Sequence, residues 1–300
     1  MQNSKWLDLC IEIMGTHIDY HWGNLSSMAQ FKILSTHSAA IVDNAYSEQL
    51  HNYTIYDNLI LICNNIGYGF RYNGDYRLSL YYFKKALSLQ SNTLGRYSLH
   101  RATLYYNIAW AYDELEEFDI ALEWHLKDLE ICETVCGKES INAAYAYNGI
   151  GITYMKKQEY RKANDFFKRA LYVLRIHLGE YHQDVAAVCN NIAEVYAKRE
   201  LFGQAIYWQE RDVLICEKTI GMNHPDTATS YNNMGLIYYE MGCPKDALNW
   251  YEKAITIRHR FFGEENTVYK ISIRNAQKAY YSIYLTFSGF DSWISDLLKK

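Results

Sequence analysis

The feature that most restricts this chain is a recurrence at 42 residues. A glycine stands at Gly95, Gly137, Gly179, Gly221 and Gly263, and an aromatic ring at Phe70, Tyr112, Tyr154, Tyr196, Tyr238 and Tyr280. Small residues keep the same interval at Gly67, Ala109, Gly151, Ala193 and Gly235, and again at Ser79, Ala121, Ala163, Ala205 and Ala247. Columns that hold one register over so long a stretch describe a stack of like units, each burying its apolar face against its neighbours.

Each unit reads as two helices. In 226–262, Asp226 is placed to cap the first helix, and Ser230, Met234, Ile237 and Tyr238 fall on one face. Met241-Gly242-Cys243 makes the turn, and Pro244 suits the first turn of the second helix. Ala247, Trp250, Tyr251, Ala254, Ile255 and Ile257 supply its packing face, and Gly263 is placed to end it in a left-handed conformation. Gly235 and Ala247 let the two helices approach closely, while Tyr238 and Tyr251 fill the space towards the next unit.

The order small residue, Tyr, Ala, aromatic, Ala resembles the tetratricopeptide repeat, whose usual period is about 34 residues. The longer version, with His224-Pro225-Asp226 before the first helix and Tyr231-Asn232-Asn233-Met234-Gly235 within it, is similar to the repeats of kinesin light chains. His182-Gln183-Asp184 and Cys189-Asn190-Asn191-Ile192 repeat the pattern. The resemblance implies an all-α, right-handed superhelical solenoid. Five full units are expected at about 58–94, 100–136, 142–178, 184–220 and 226–262, with a sixth first-helix at 266–286. As domains, this makes 53–286 the solenoid and 287–300 a capping helix. Residues 1–52 fall outside the register and read as an N-terminal cap or a degenerate repeat, with helices near 4–21 and 26–50.

Composition narrows the function. The net charge of −4 offers no basic field for nucleic acid. Seven cysteines, an odd number without any Cys-x-x-Cys pair, suit reduced, mostly buried thiols in a cytoplasmic protein. Asp8 and Glu12 interrupt the first apolar stretch, and no run of 18 uncharged apolar residues follows, so neither a secretory signal nor a membrane span is expected. Phosphate loops and nucleophile elbows are absent as motifs, and no cofactor or catalytic residue is indicated. His17 and His21 share a helical face without a third ligand, and Cys132 and Cys136 read as core thiols, so no metal site is expected.

In the family this chain resembles, the first helix of each unit lines a peptide-binding groove, and the resemblance implies which positions meet a ligand. These are Asn64, Tyr106, Asn148, Asn190 and Asn232, followed by Asn65, Asn107, Asn191, Asn233 and Asn275, with Gly149 interrupting the second set. Asparagine is a mediocre helix former, so its concentration at mid-helix needs a reason. Its amide both donates and accepts, which suits clamping an extended peptide backbone, and equally suits bonding a neighbouring helix to fix the repeat spacing. Lys156 and Lys198 occupy equivalent lip positions, flanked in the register by Glu114 and Glu240. A basic middle of this kind would favour a partner segment with acidic residues. Trp110 and Tyr239, with Tyr68 and Tyr72, are candidate anchors for apolar side chains.

Alternate units differ. Asp128 and Asp212, 84 residues apart, stand where Ala86, Ala170 and Ala254 pack, and His125 and Gln209 replace Phe83, Phe167 and Tyr251. The expectation is that Trp124 and Trp208 take over the packing and that each acid reaches solvent or a basic neighbour. The other reading is a buried polar switch, since unpaired buried acids are costly.

The expected function is a non-enzymatic scaffold that holds a peptide segment of a partner protein. A receptor for a short regulatory peptide, similar to the pheromone-sensing tetratricopeptide proteins of Gram-positive bacteria, and the interaction subunit of an effector or toxin system are alternatives. The aromatic run Tyr280, Tyr281, Tyr284, Phe287, Phe290 and Trp293 offers either a seat for the closing helix or a homodimer contact.

Overall fold

A computed structural model describes residues 40, 53–90, 98–286 and 288–299. The N-terminal cap, the His17/His21 pair, Cys10, Gly95 and Phe287 lie outside these. Every regular element among the described residues is an α-helix: α1 (Tyr53–Tyr72), α2 (Tyr76–Gln90), α3 (Leu99–Glu114), α4 (Phe118–Cys136), α5 (Ile141–Lys156), α6 (Tyr160–Leu178), α7 (Gln183–Lys198), α8 (Phe202–Thr219), α9 (Pro225–Glu240), α10 (Pro244–Phe262), α11 (Thr267–Tyr284) and α12 (Phe290–Leu298). No described helix is long and apolar enough to cross a membrane. The chain forms two compact units, Met1–Lys157 and Gln158–Lys300.

Within the first unit, α1 to α5 pack in chain order, and α3 also touches α5. The second unit repeats this from α6 to α11, with α7 against α9, α9 against α11, and α12 on α10. Within each unit, first helices of neighbouring repeats therefore touch one another.

The helix starts keep the 42-residue period through a column that the sequence reading misplaces. Ser98, Ser140, His182, His224 and Asn266 are the N-caps of α3, α5, α7, α9 and α11. The imidazole Nδ1 of His224 accepts from the backbone N–H of Asp226 at 3.1 Å, and His182 serves Asp184 likewise at 3.2 Å. Asp226, expected as the cap, instead lies inside the first turn behind Pro225, where its charge suits the helix dipole.

Turns between the two helices of a repeat form a second unread column. Gly74, Glu116, Gln158, Glu200 and Gly242 all have positive φ, between 58° and 83°. Only two of the five are glycine, so the others accept a conformation unfavourable for a side chain in order to keep the turn. At the other end of the repeat, Gly263 ends α10 with φ 71° and ψ 178°. This is not the left-handed helical conformation expected but an extended one essentially restricted to glycine.

The core forms where small residues face large ones. A methyl group added to Gly67 would meet Phe83 Cε1 at 2.6 Å, and one added to Gly235 would meet Tyr251 Cε1 at the same distance. Trp124 and Trp208 do pack into the core, as partly buried members of clusters built on Ile108 with Ala121 and on Ala193 with Ala205. At the C-terminus, Tyr280 packs against Tyr284, Phe290 and Trp293, with ring centroids 4.4, 5.4 and 6.0 Å away. The closing helix thus covers Tyr280, while Tyr281 and Tyr284 stay exposed.

Candidate functional site

The asparagines link neighbouring first helices. Asn107 donates through Nδ2 to Asn64 Oδ1 at 3.0 Å, Asn233 to Asn190 at 2.9 Å, and Asn275 to Asn232 at 3.3 Å. Each bond joins the second asparagine of one repeat to the first asparagine of the repeat before. Asn107 is fully buried and also accepts from the Tyr68 hydroxyl at 2.9 Å. Asn232 is buried too, and its Oδ1 accepts a further bond from Ser272, which in turn receives Arg258 at 2.6 Å. Asn107 and Asn232 are therefore structural. Asn64, Asn65, Asn148, Asn190, Asn191 and Asn233 are half-buried. Asn190 takes part in the ladder through its carbonyl oxygen.

The gap at Gly149 has a steric cause. A Cβ there would lie 2.6 Å from His125 Cε1. His125 is held in the interior by Asp113, 3.3 Å from its Nε2, and Asp113 also accepts from the Thr153 hydroxyl at 2.8 Å. All three are buried. The hydroxyl donates to the acid rather than to the imidazole, so the group lacks the nucleophile–base contact that hydrolytic catalysis requires. It is a polar core element.

The lip lysines are not free cations. Lys156 reaches Glu114 at 2.7 Å, and Lys198 lies 3.7 Å from Glu240. Each faces the acid of a flanking repeat, closely at Lys156 and at the limit of contact at Lys198. Trp110 is roofed by the Arg71 guanidinium, 3.6 Å from its ring centroid, and Tyr239 packs at the margin of the C-terminal core. Neither stands as a bare anchor.

Asp128 and Asp212 overturn the expectation made for them. Each is 4% exposed, and no described cation pairs with either. Asp128 accepts from the Cys132 thiol at 3.4 Å; Asp212 accepts from Cys216 at 3.5 Å and from the Gln209 amide at 2.7 Å. Gln209 also donates to the Ser230 carbonyl at 3.2 Å. Burial raises both carboxyls far above the usual carboxylate range, to about 7 for Asp128 and about 6 for Asp212, against the opposing effect of their hydrogen bonds.

What remains accessible of each acid faces a cavity between two first helices. In the first unit, Asp128 and Cys132 of α4 floor a space of about 300 Å³ walled by Thr103 and Tyr106 of α3 and by Tyr145 and Asn148 of α5. In the second unit, Asp212 and Cys216 of α8 floor one of about 370 Å³ walled by Asn190 of α7 and by Thr229, Ser230 and Asn233 of α9. A smaller cavity of about 150 Å³ adjoins it, between Asn190, Lys198 and Glu240. The candidate site is therefore a pair of equivalent cavities on the first-helix face, walled by the asparagine columns and floored by acids.

Tetratricopeptide-repeat family models match residues 59–127 and 178–259, and a second model of the same repeat matches 143–184. The chain is a tetratricopeptide-repeat protein. No curated protein sequence matches this repeat protein significantly. Among solved structures, the BtubC (BKLC) protein of P. vanneervenii is similar to it with a TM-score of 0.64 at 20% identity, covering 79% of this chain and 94% of its own. The repeats of a putative kinesin light chain from Podosopora anserina align with a TM-score of 0.57 at 17% identity, over 71% of this chain and 98% of theirs. The apo form of RapI aligns with a TM-score of 0.61 at 17% identity, over 93% and 99%. At such identities these likenesses concern the fold alone.

Proposed function

We propose that this tetratricopeptide-repeat protein is a non-enzymatic scaffold that holds a peptide segment of a partner protein along its first-helix face. The observation that carries the reading is the pair of cavities between neighbouring first helices, lined by Asn148 in one and by Asn190 and Asn233 in the other. A peptide backbone needs such donors and acceptors irrespective of its side chains, and each cavity accepts about one side chain. The ladder bonds hold the neighbouring helices at fixed spacing, so the face is ordered before a ligand arrives and less ordering entropy opposes binding. An acidic preference has no support at the lip, where Lys156 and Lys198 are already paired.

The test is capture of a partner from lysate by the wild-type chain and by an Asn148→Ala, Asn190→Ala variant. These residues are half-buried and line the cavities, whereas Asn232 would confound the test by loosening the fold. Capture should fall at least about tenfold in the variant. Undiminished capture of every partner would refute the clamp.

A further inference from the structure

We infer that the two acid-floored cavities are subsites for basic side chains of the bound segment, each taking one guanidinium or ammonium group against Asp128 or Asp212. The inference rests on the peptide-holding reading above and names the chemistry its ligand must carry.

Three observations converge. Each acid is nearly sealed from bulk water, yet lines a cavity large enough for one long side chain. Their known partners are thiols, an amide and a hydroxyl, none of them charged. Arg175 and Arg211, on helices of the second unit, are both engaged by Glu180, at 2.9 and 3.2 Å. Among the described residues, the anionic form of either acid thus has no paired counter-ion. A cation entering the cavity would supply one in a setting where charge-assisted hydrogen bonds are strong.

The walls suit the same occupant. In the second unit the floor acid shares the cavity with Asp184 and Asp226, beside the amides of Gln183, Asn190, Asn191 and Asn233, so three carboxyl groups and no cationic side chain line it. A guanidinium presents five N–H donors and no acceptor, so it can use such a set where a carboxylate would be repelled and an apolar side chain would leave it unsatisfied. In the first unit Tyr106 and Tyr145 line the cavity with the acid, and aromatic rings are favourable company for a cation. Independent of either cavity is the repetition itself. Asp-x-x-x-Cys occupies the same register 84 residues apart, in the two repeats where the aromatic of the second helix is also replaced.

The experiment is selection of a random-peptide phage library on the full chain, followed by titration of the selected peptides. Peptides chosen by the wild type should carry arginine or lysine at a recurrent position. An Asp128→Asn, Asp212→Asn chain, shown folded by its circular dichroism, should bind them at least about tenfold more weakly. Replacing the peptide's basic residue by glutamine should cost the wild type the same factor and the variant little more, the signature of a direct pair. Arginine and lysine versions of one peptide separate guanidinium from ammonium recognition. Tight peptides without basic residues, or unchanged affinity in the Asn variant, would overturn this inference while leaving peptide holding intact. Failure to select any peptide would count against both.

Discussion

Asn233 donates to Asn190 across neighbouring first helices at 2.9 Å, and Asn107 makes the same bond to Asn64 three repeats earlier at 3.0 Å. The columns that suggested a peptide clamp are thus also the ties that set the spacing of the helices, and the two roles divide by residue. Asn107→Ala removes a buried amide that serves both Asn64 and Tyr68, so it should lower stability by about 1–3 kcal/mol. Asn64→Ala deprives the buried Asn107 amide of one bond but leaves its bond from Tyr68, so it should cost less, about 1 kcal/mol. Urea denaturation of the two variants measures the difference.

Gly149 sits against His125 with no room for a methyl group, at 2.6 Å from Cε1. His125 is anchored by Asp113 and cannot swing aside without breaking this buried contact. Gly149→Ala should therefore destabilise by about 1–3 kcal/mol, against the gain that alanine normally brings to a helix. A rise in the urea midpoint would show that the histidine is freer than its contacts indicate.

The buried acids predict an unusual pH dependence. Both have folded pKa values raised from 3.8, to about 7 for Asp128 and about 6 for Asp212. The folded state then binds more protons than the unfolded state between about pH 4 and 7. Stability from these groups is full below pH 4 and declines as pH rises to 7. Their contribution is thereafter constant. Asp128→Asn with Asp212→Asn should raise the melting temperature by a few degrees at pH 8 and flatten this decline, as followed by thermal melts.

Thiol reactivity should divide sharply. Burial pushes the thiols of Cys189 and Cys216 up to about 12, and that of Cys132 higher still, whereas Cys136 is exposed. A disulfide-exchange reagent should label Cys136 within minutes and reach Cys132, Cys189 and Cys216 only on denaturation. Rapid labelling of Cys132 or Cys216 in the folded protein would place those cavity floors in open solvent.

The repeat period and helix pairing were legible in the sequence because small and aromatic residues must recur wherever two helices meet at one distance. The capping column was not. Ser98, Ser140, His182, His224 and Asn266 share one task through three kinds of side chain, and histidine is not ordinarily read as a cap. The left-handed turn column was hidden because Glu116, Gln158 and Glu200 interrupt its glycines. The acids were visible as an alternation but were misjudged as solvent-facing, since a charged residue in an alanine column suggests a helix turned outward. A second signal lay 16 residues earlier: glycine precedes each aromatic at 67/83, 151/167 and 235/251, and alanine precedes His125 and Gln209 at 109 and 193. That pairing marks a helix of unchanged orientation whose inward layer has been made polar.

The central claim is that a peptide lies on the first-helix face. Hydrogen exchange of the full chain, with and without a saturating library-selected peptide, tests it most directly. The account predicts slowed exchange in α3, α5, α7 and α9, beside the Asn148 and Asn190 cavities, with α6 and α10 little changed. Protection confined to the second helices α4, α6, α8 and α10 would contradict it.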